Sequence, residues 1–134
     1  MNGAPWWRRP GVAFLVDVVL VVVFAAVGRA SHDESNALVG ALSTAWPFLV
    51  GTALGWIVVR FTRRMWPVDV APGVTVWFAT VLVGMVLRRA VGSGTAVSFV
   101  VVASVVLAVF LLGWRALGAY AAHRTRTRTS ASAS

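Results

Sequence analysis

Long apolar runs alternate with short polar breaks along this chain, and four of the runs approach the length a bilayer crossing needs. The first, Gly11 to Gly28, is interrupted by a single carboxylate, Asp17, and breaks into Arg29-Ala30-Ser31-His32-Asp33-Glu34. The second begins near Ala37 and ends at Arg60, the third runs from Gly73 to Arg88-Arg89, and the fourth from about Thr95 to Trp114. This pattern predicts an all-α, polytopic integral membrane protein. One domain, residues 1–123, forms a bundle of four transmembrane helices over about 11–28, 37–60, 73–89 and 95–114. Residues 124–134 alternate Arg, Thr, Ser and Ala without an apolar face, which predicts a disordered basic tail. Arg8-Arg9 before an apolar segment is reminiscent of a signal peptide, but the run is long, contains Asp17 and precedes three more spans, so a retained helix is expected.

Helical spacing divides each run into faces. Ala13, Asp17, Val21, Phe24 and Gly28 share one face of the first span, which is expected to look inward. Ser31 and Glu34 have the spacing of a capping box before the second span. Within that span Pro47 removes a backbone donor and predicts a kink, while Gly40, Thr44, Pro47, Gly51 and Gly55 form a stripe of small residues suited to close helix packing. The third span offers fifteen residues before its arginines, about 23 Å against a hydrocarbon core of about 30 Å. Trp77, Thr80, Gly84 and Arg88 share its inner face, so Arg88 is expected inside and Arg89 at the surface.

Composition strengthens the membrane reading: apolar residues make up 59% and mean hydropathy is +0.83. A net charge of +8, all its cations arginine, would ordinarily raise nucleic acid as a partner. Here the arginines flank the apolar runs, so headgroups and topology account for them and nucleic acid is not expected. Nine of the twelve lie in the N-terminal lead, the connection after span two and the C-terminal part. Those segments therefore share one side, which predicts a multi-pass protein of the cell inner membrane with both termini cytoplasmic. Arg29, Arg88 and Arg89 fall on the outer side, where Arg29, His32, Asp33, Glu34 and Arg88 form a candidate outer-face cluster. The absence of cysteine excludes disulfides and thiol chemistry.

Asp17 is the sharpest chemical feature. A central aspartate costs about 2.5–3.5 kcal/mol on the insertion scale, while each Val, Leu or Phe returns only about 0.3–0.6. It lies about 9 Å inside the run, too deep for a short side chain to reach water, so another helix must shield it. An ion pair with Arg60 or Arg115, both on the same membrane side, is one solution; a desolvated, titrating acid is the other. The consecutive His32, Asp33 and Glu34 splay around a helix rather than converge, so no metal is expected. No nucleophile elbow, phosphate loop or zinc-helix motif is present, and neither an enzyme nor a cofactor is expected.

The set Asp17, Gly28-Arg29-Ala30-Ser31-His32, Thr44-Ala45-Trp46-Pro47-Phe48, Gly55-Trp56, Gly84-Met85-Val86-Leu87-Arg88, Gly94-Thr95-Ala96-Val97-Ser98-Phe99 and Gly113-Trp114-Arg115 resembles the domain-of-unknown-function family numbered 3054. These are small four-span membrane proteins of actinobacteria and haloarchaea. The resemblance covers nearly the whole chain beyond the first ten residues and the tail. It implies the four-helix fold and a bacterial inner-membrane location, and brings no activity with it. Residues and resemblance together predict a non-enzymatic structural or accessory membrane component, with Pro47, Gly51, Gly55 and Gly84 at helix contacts. Its expected partners are the lipid bilayer and a second copy or another membrane protein. The alternative is a small proton-coupled transporter or ion pathway acting as a dimer, with Asp17 as the titrating group.

Overall fold

Valine favours strands in water, but in hydrocarbon an open strand leaves its backbone groups without partners, so long valine-rich runs satisfy them within helices. The computed structural model of the chain describes residues 6–29, 37–92 and 96–133, and over these it contains helices and no strand. A 3-10 turn at Trp6–Arg8 leads into α1 (Pro10–Arg29), followed by α2 (Ala37–Arg63), α3 (Val70–Ala90) and α4 (Val97–Ala133). Each holds a segment long and apolar enough to cross a membrane: Pro10–Gly28, Gly40–Arg63, Val70–Ala90 and Val97–Arg124.

Two boundaries differ from the sequence expectation. The third helix starts at Val70 rather than Gly73, passing through Pro72, because a proline in the first turn removes an N–H that has no intrahelical partner. Its 21 residues give about 32 Å, so α3 is long enough to span the hydrocarbon unaided, with Arg88 and Arg89 in its last turn. The tail expected to be disordered, 124–134, is instead helical as far as Ala133. Extending an existing helix avoids the nucleation cost that an isolated segment meets, and arginine is a good helix former. The proposed start of span four at Thr95 lies outside the described residues. α2 continues as a helix through Pro47, and the Ser43 hydroxyl donates to the Gly40 carbonyl at 2.9 Å.

Successive helices pack side by side, and α1 against α4 closes the ring. Their alternation in direction is visible in two layers. One layer brings together Phe24 late in α1, Phe48 in the first half of α2, Gly84 late in α3 and Phe99 early in α4. The Phe24 and Phe48 rings meet edge to face at 5.5 Å, Phe48 and Phe99 lie 6.4 Å apart, and a Cβ on Gly84 would strike the Phe48 ring. The other layer joins early α1, late α2, early α3 and the middle of α4, and is built around Asp17.

Between the layers α2 and α3 approach most closely. A Cβ on Gly51 would lie 2.6 Å from the Ala79 carbonyl oxygen, and one on Gly55 would lie 2.9 Å from the Val76 Cα, so backbone meets backbone only because both are glycine. The Thr52 and Thr80 hydroxyls sit 2.9 Å apart at this crossing, and each also reaches its own helix, at the Phe48 and Val76 carbonyls. Two protons serve three contacts, so the interhelical bond competes with the two local ones. Gly28, expected on the inward face, is exposed with nothing near it.

The outside of the bundle is apolar. Leu15, Val19, Val23 and Val27 on α1, and Val74, Phe78, Leu82 and Val86 on α3, recur every four residues and are all exposed. Stripes of this extent call for lipid around them.

Candidate functional site

Two helical stripes deliver the site. On α1, Ala13, Asp17 and Val21 follow one another at intervals of four and are fully buried. On α4, Ala103, Leu107, Leu111 and Arg115 do the same, so the guanidinium occupies the next position of an aliphatic core stripe. Asp17 is 0% and Arg115 1% exposed.

The two side chains meet in a bidentate pair. Arg115 Nη1 donates to Asp17 Oδ1 at 2.9 Å, and Nη2 donates to Oδ2 at 2.8 Å. Two indoles complete the carboxylate's surroundings: Trp114 Nε1 donates to Oδ1 at 2.9 Å and Trp56 Nε1 to Oδ2 at 2.8 Å. The remaining guanidinium donors go to backbone. Nε and Nη2 donate to the Pro67 carbonyl at 3.0 and 2.7 Å, and Nη1 to the Leu111 carbonyl at 2.7 Å. All five N–H groups of the arginine and both oxygens of the aspartate, each accepting twice, are therefore engaged.

This arrangement draws on every part of the bundle. Asp17 comes from α1, Trp56 from α2, Pro67 from the α2–α3 connection, and Leu111, Trp114 and Arg115 from α4. α3 contributes by absence: a Cβ on Gly73 would lie 2.5 Å from the Arg115 Cδ, so the arginine stem lies against bare backbone. Chemically, no lone pair or proton is left over for a substrate. In a poorly screened interior, full hydrogen bonding is the condition under which a buried ion pair is tolerated, and removing one partner then costs about 3–5 kcal/mol.

A second, wetter pair ties the same end of the bundle together. Arg8 donates to Asp69 at 2.7 Å, with both side chains partly exposed. That hydrogen bond, more than the attendant charge, raises the Arg8 pKa above its ordinary value against the opposing effect of burial. Asp69 is by backbone geometry the N-cap of α3, but its carboxylate faces Arg8 and makes no capping bond. Trp7 packs on α4 at Gly118, where a Cβ would lie 2.8 Å from its ring. The N-terminal lead, the α2–α3 connection and the second half of α4 thus gather beside the Asp17 layer.

Of the two arginines expected near Asp17, Arg115 reaches it and Arg60 does not: Arg60 is exposed and stacks over the Trp66 ring at 4.9 Å. Among the residues expected at the outer face, Arg88 is half-buried with its guanidinium over Phe99 at 4.4 Å. The Arg29 side chain and His32, Asp33 and Glu34 lie outside the described residues, and with them the proposed cluster. Gly51, Gly55 and Gly84 stand at helix contacts, and Pro47 is buried within α2.

Sequence reasoning missed Trp56, Trp114 and the Pro67 and Leu111 carbonyls. Tryptophans near arginines read as headgroup anchors, yet an indole N–H must find an acceptor when buried. Trp56 is 5% exposed, and a carboxylate at its depth was the available signal.

The family model described as "Protein of unknown function (DUF3054)" matches residues 14–118. No curated protein and no solved structure matches the chain.

Proposed function

The chain belongs to the DUF3054 family, and we propose that it is a non-enzymatic structural or accessory component of the cell inner membrane, crossing the bilayer four times with both termini in the cytoplasm. The observation that carries this reading is the saturation of Asp17. An acid that moves protons must exchange partners and meet water during its cycle, whereas this carboxylate accepts four hydrogen bonds and is fully buried. A clamp between α1 and α4 is the role such a group can fill. An accessory role has its partner, a second copy or another membrane protein, within the same bilayer.

The orientation rests on the arginines gathered at the Asp17 end and on the preference of cytoplasmic segments for positive charge. Because the chain has no cysteine, single introduced thiols report sidedness unambiguously. Val91→Cys in the α3–α4 connection is expected to react with a membrane-impermeant maleimide in intact cells, and Ser132→Cys only after lysis; the reverse pattern overturns the orientation.

Transport is tested in proteoliposomes carrying a pH gradient. Wild type and Asp17→Asn are expected to leak protons no faster than empty vesicles. A proton flux in wild type that Asp17→Asn abolishes would establish the transporter reading instead.

A further inference from the structure

At the end of α2, Trp56, Ile57, Arg60, Phe61, Arg64 and Trp66 line an open groove of about 500 Å³. Its walls are aromatic and aliphatic, with Ile57 and Phe61 well exposed, and the Trp56 and Trp66 rings lie 6.0 Å apart. Two guanidiniums border it. Neither has a carboxylate partner among the described residues, because Asp17 is taken by Arg115 and Asp69 by Arg8. The groove thus combines apolar walls with uncompensated positive charge.

Arg64 supplies an independent observation. It follows the last residue of α2 and has φ +56°, the left-handed region that glycine adopts without strain, as Gly92 does after α3 with φ +83°. Arginine in this conformation costs backbone free energy that glycine would not. A strained position that keeps a guanidinium on the wall of a groove points to use of that guanidinium.

We infer that the groove binds one anionic phospholipid, its phosphate held between Arg60 and Arg64 and its acyl chains running along Ile57 and Phe61. This rests on the reading that the chain spans the membrane. The planar fork of arginine matches phosphate oxygens, and tryptophans beside it suit headgroup depth. Positive charge at a helix C-terminus also offsets the helix dipole. Arg63 does that from the same turn without lining the groove, which makes it the internal control.

The test uses the full chain in dodecyl maltoside, titrated separately with palmitoyl-oleoyl phosphatidylglycerol, palmitoyl-oleoyl phosphatidylcholine and sodium phosphate, and read by native mass spectrometry and thermal melting. Phosphatidylglycerol is expected to saturate at one molecule per chain and to raise the melting temperature; the other two are not. Arg60→Gln and Arg64→Gln each weaken binding about tenfold, the loss of one charged hydrogen bond, while Arg63→Gln leaves it unchanged. Arg64→Gly is expected to raise the melting temperature of the lipid-free protein while weakening the lipid about tenfold, as Arg64→Gln does, a combination that a purely structural arginine does not give. Retention of binding in the Arg60→Gln/Arg64→Gln double variant, equal weakening by Arg63→Gln, or equal binding of phosphatidylcholine overturns the site. Sodium phosphate binding as tightly as the lipid overturns the lipid as its source. In the maleimide labelling described above, Val91→Cys and Ser132→Cys reacting alike in intact cells overturns the spanning reading, so either can fail without the other.

Discussion

The Asp17 carboxylate and the Arg115 guanidinium, 98 residues apart in the chain, meet through two hydrogen bonds of 2.8 and 2.9 Å, with no exposed surface on either side chain. Each alone would be expensive in a bilayer, and together they are tolerated because two indoles and two backbone carbonyls take up the remaining hydrogen-bonding capacity. Stability is therefore expected to depend on the completeness of this set more than on any one bond within it.

Trp56→Phe and Trp114→Phe each remove one donor from the carboxylate while keeping an aromatic ring at the position; the indole replaced at position 56 meets the Phe14 ring edge to face at 5.3 Å. A hydrogen bond to a charged group is worth about 1.5–3 kcal/mol, so each variant is expected to lose that much in dodecyl sulfate unfolding from mixed micelles. Losses below about 0.5 kcal/mol, the range of ordinary surface substitutions, would show that the indoles are only packing.

Gly51→Ala places a methyl group 2.6 Å from the Ala79 carbonyl oxygen and 2.8 Å from the Thr80 Cα, where backbone cannot yield. It is expected to cost about 1–3 kcal/mol as α2 and α3 are forced apart. Gly113→Ala on α4 meets nothing within 4 Å and is expected to gain about 0.5–1 kcal/mol through helix propensity. Melting of the two variants in the same detergent distinguishes a packing glycine from an incidental one.

Arg8–Asp69 uses the same chemistry as Arg115–Asp17 in a wetter place. Asp69→Asn is expected to cost no more than about 1 kcal/mol, and the difference from wild type should fade towards about 1 M salt, where the screening length is about 3 Å. Unfolding titrations at low and high salt check this. A salt-independent loss of several kcal/mol would place Asp69 in a drier setting than its exposure indicates.

Much of this was legible in the sequence because hydrocarbon is a simple solvent: run length gives the spans, and one carboxylate within them demands a partner. The choice of partner was not. Arg60 follows buried Trp56 by four residues just as Arg115 follows buried Leu111, so periodicity admits both. What separates them is tertiary: the connection tucks Pro67 and Val68 into the bundle beside Arg115, whereas α2 at Arg60 has already left it. The roles of Trp56 and Trp114 were hidden because one residue type serves both as headgroup anchor and as buried donor. The helical course of 124–133 was missed because composition describes an isolated segment and takes no account of the helix it extends.

The central claim, that Asp17 and Arg115 form a structural clamp, is tested most directly by a double-mutant cycle of Asp17→Leu and Arg115→Met, read as unfolding free energy in mixed micelles. Each single variant leaves an unpaired buried charge and is expected to lose about 3–5 kcal/mol, while the double variant should lose less than the two combined by about 3 kcal/mol or more. Losses that simply add, within about 0.5 kcal/mol, would contradict the clamp.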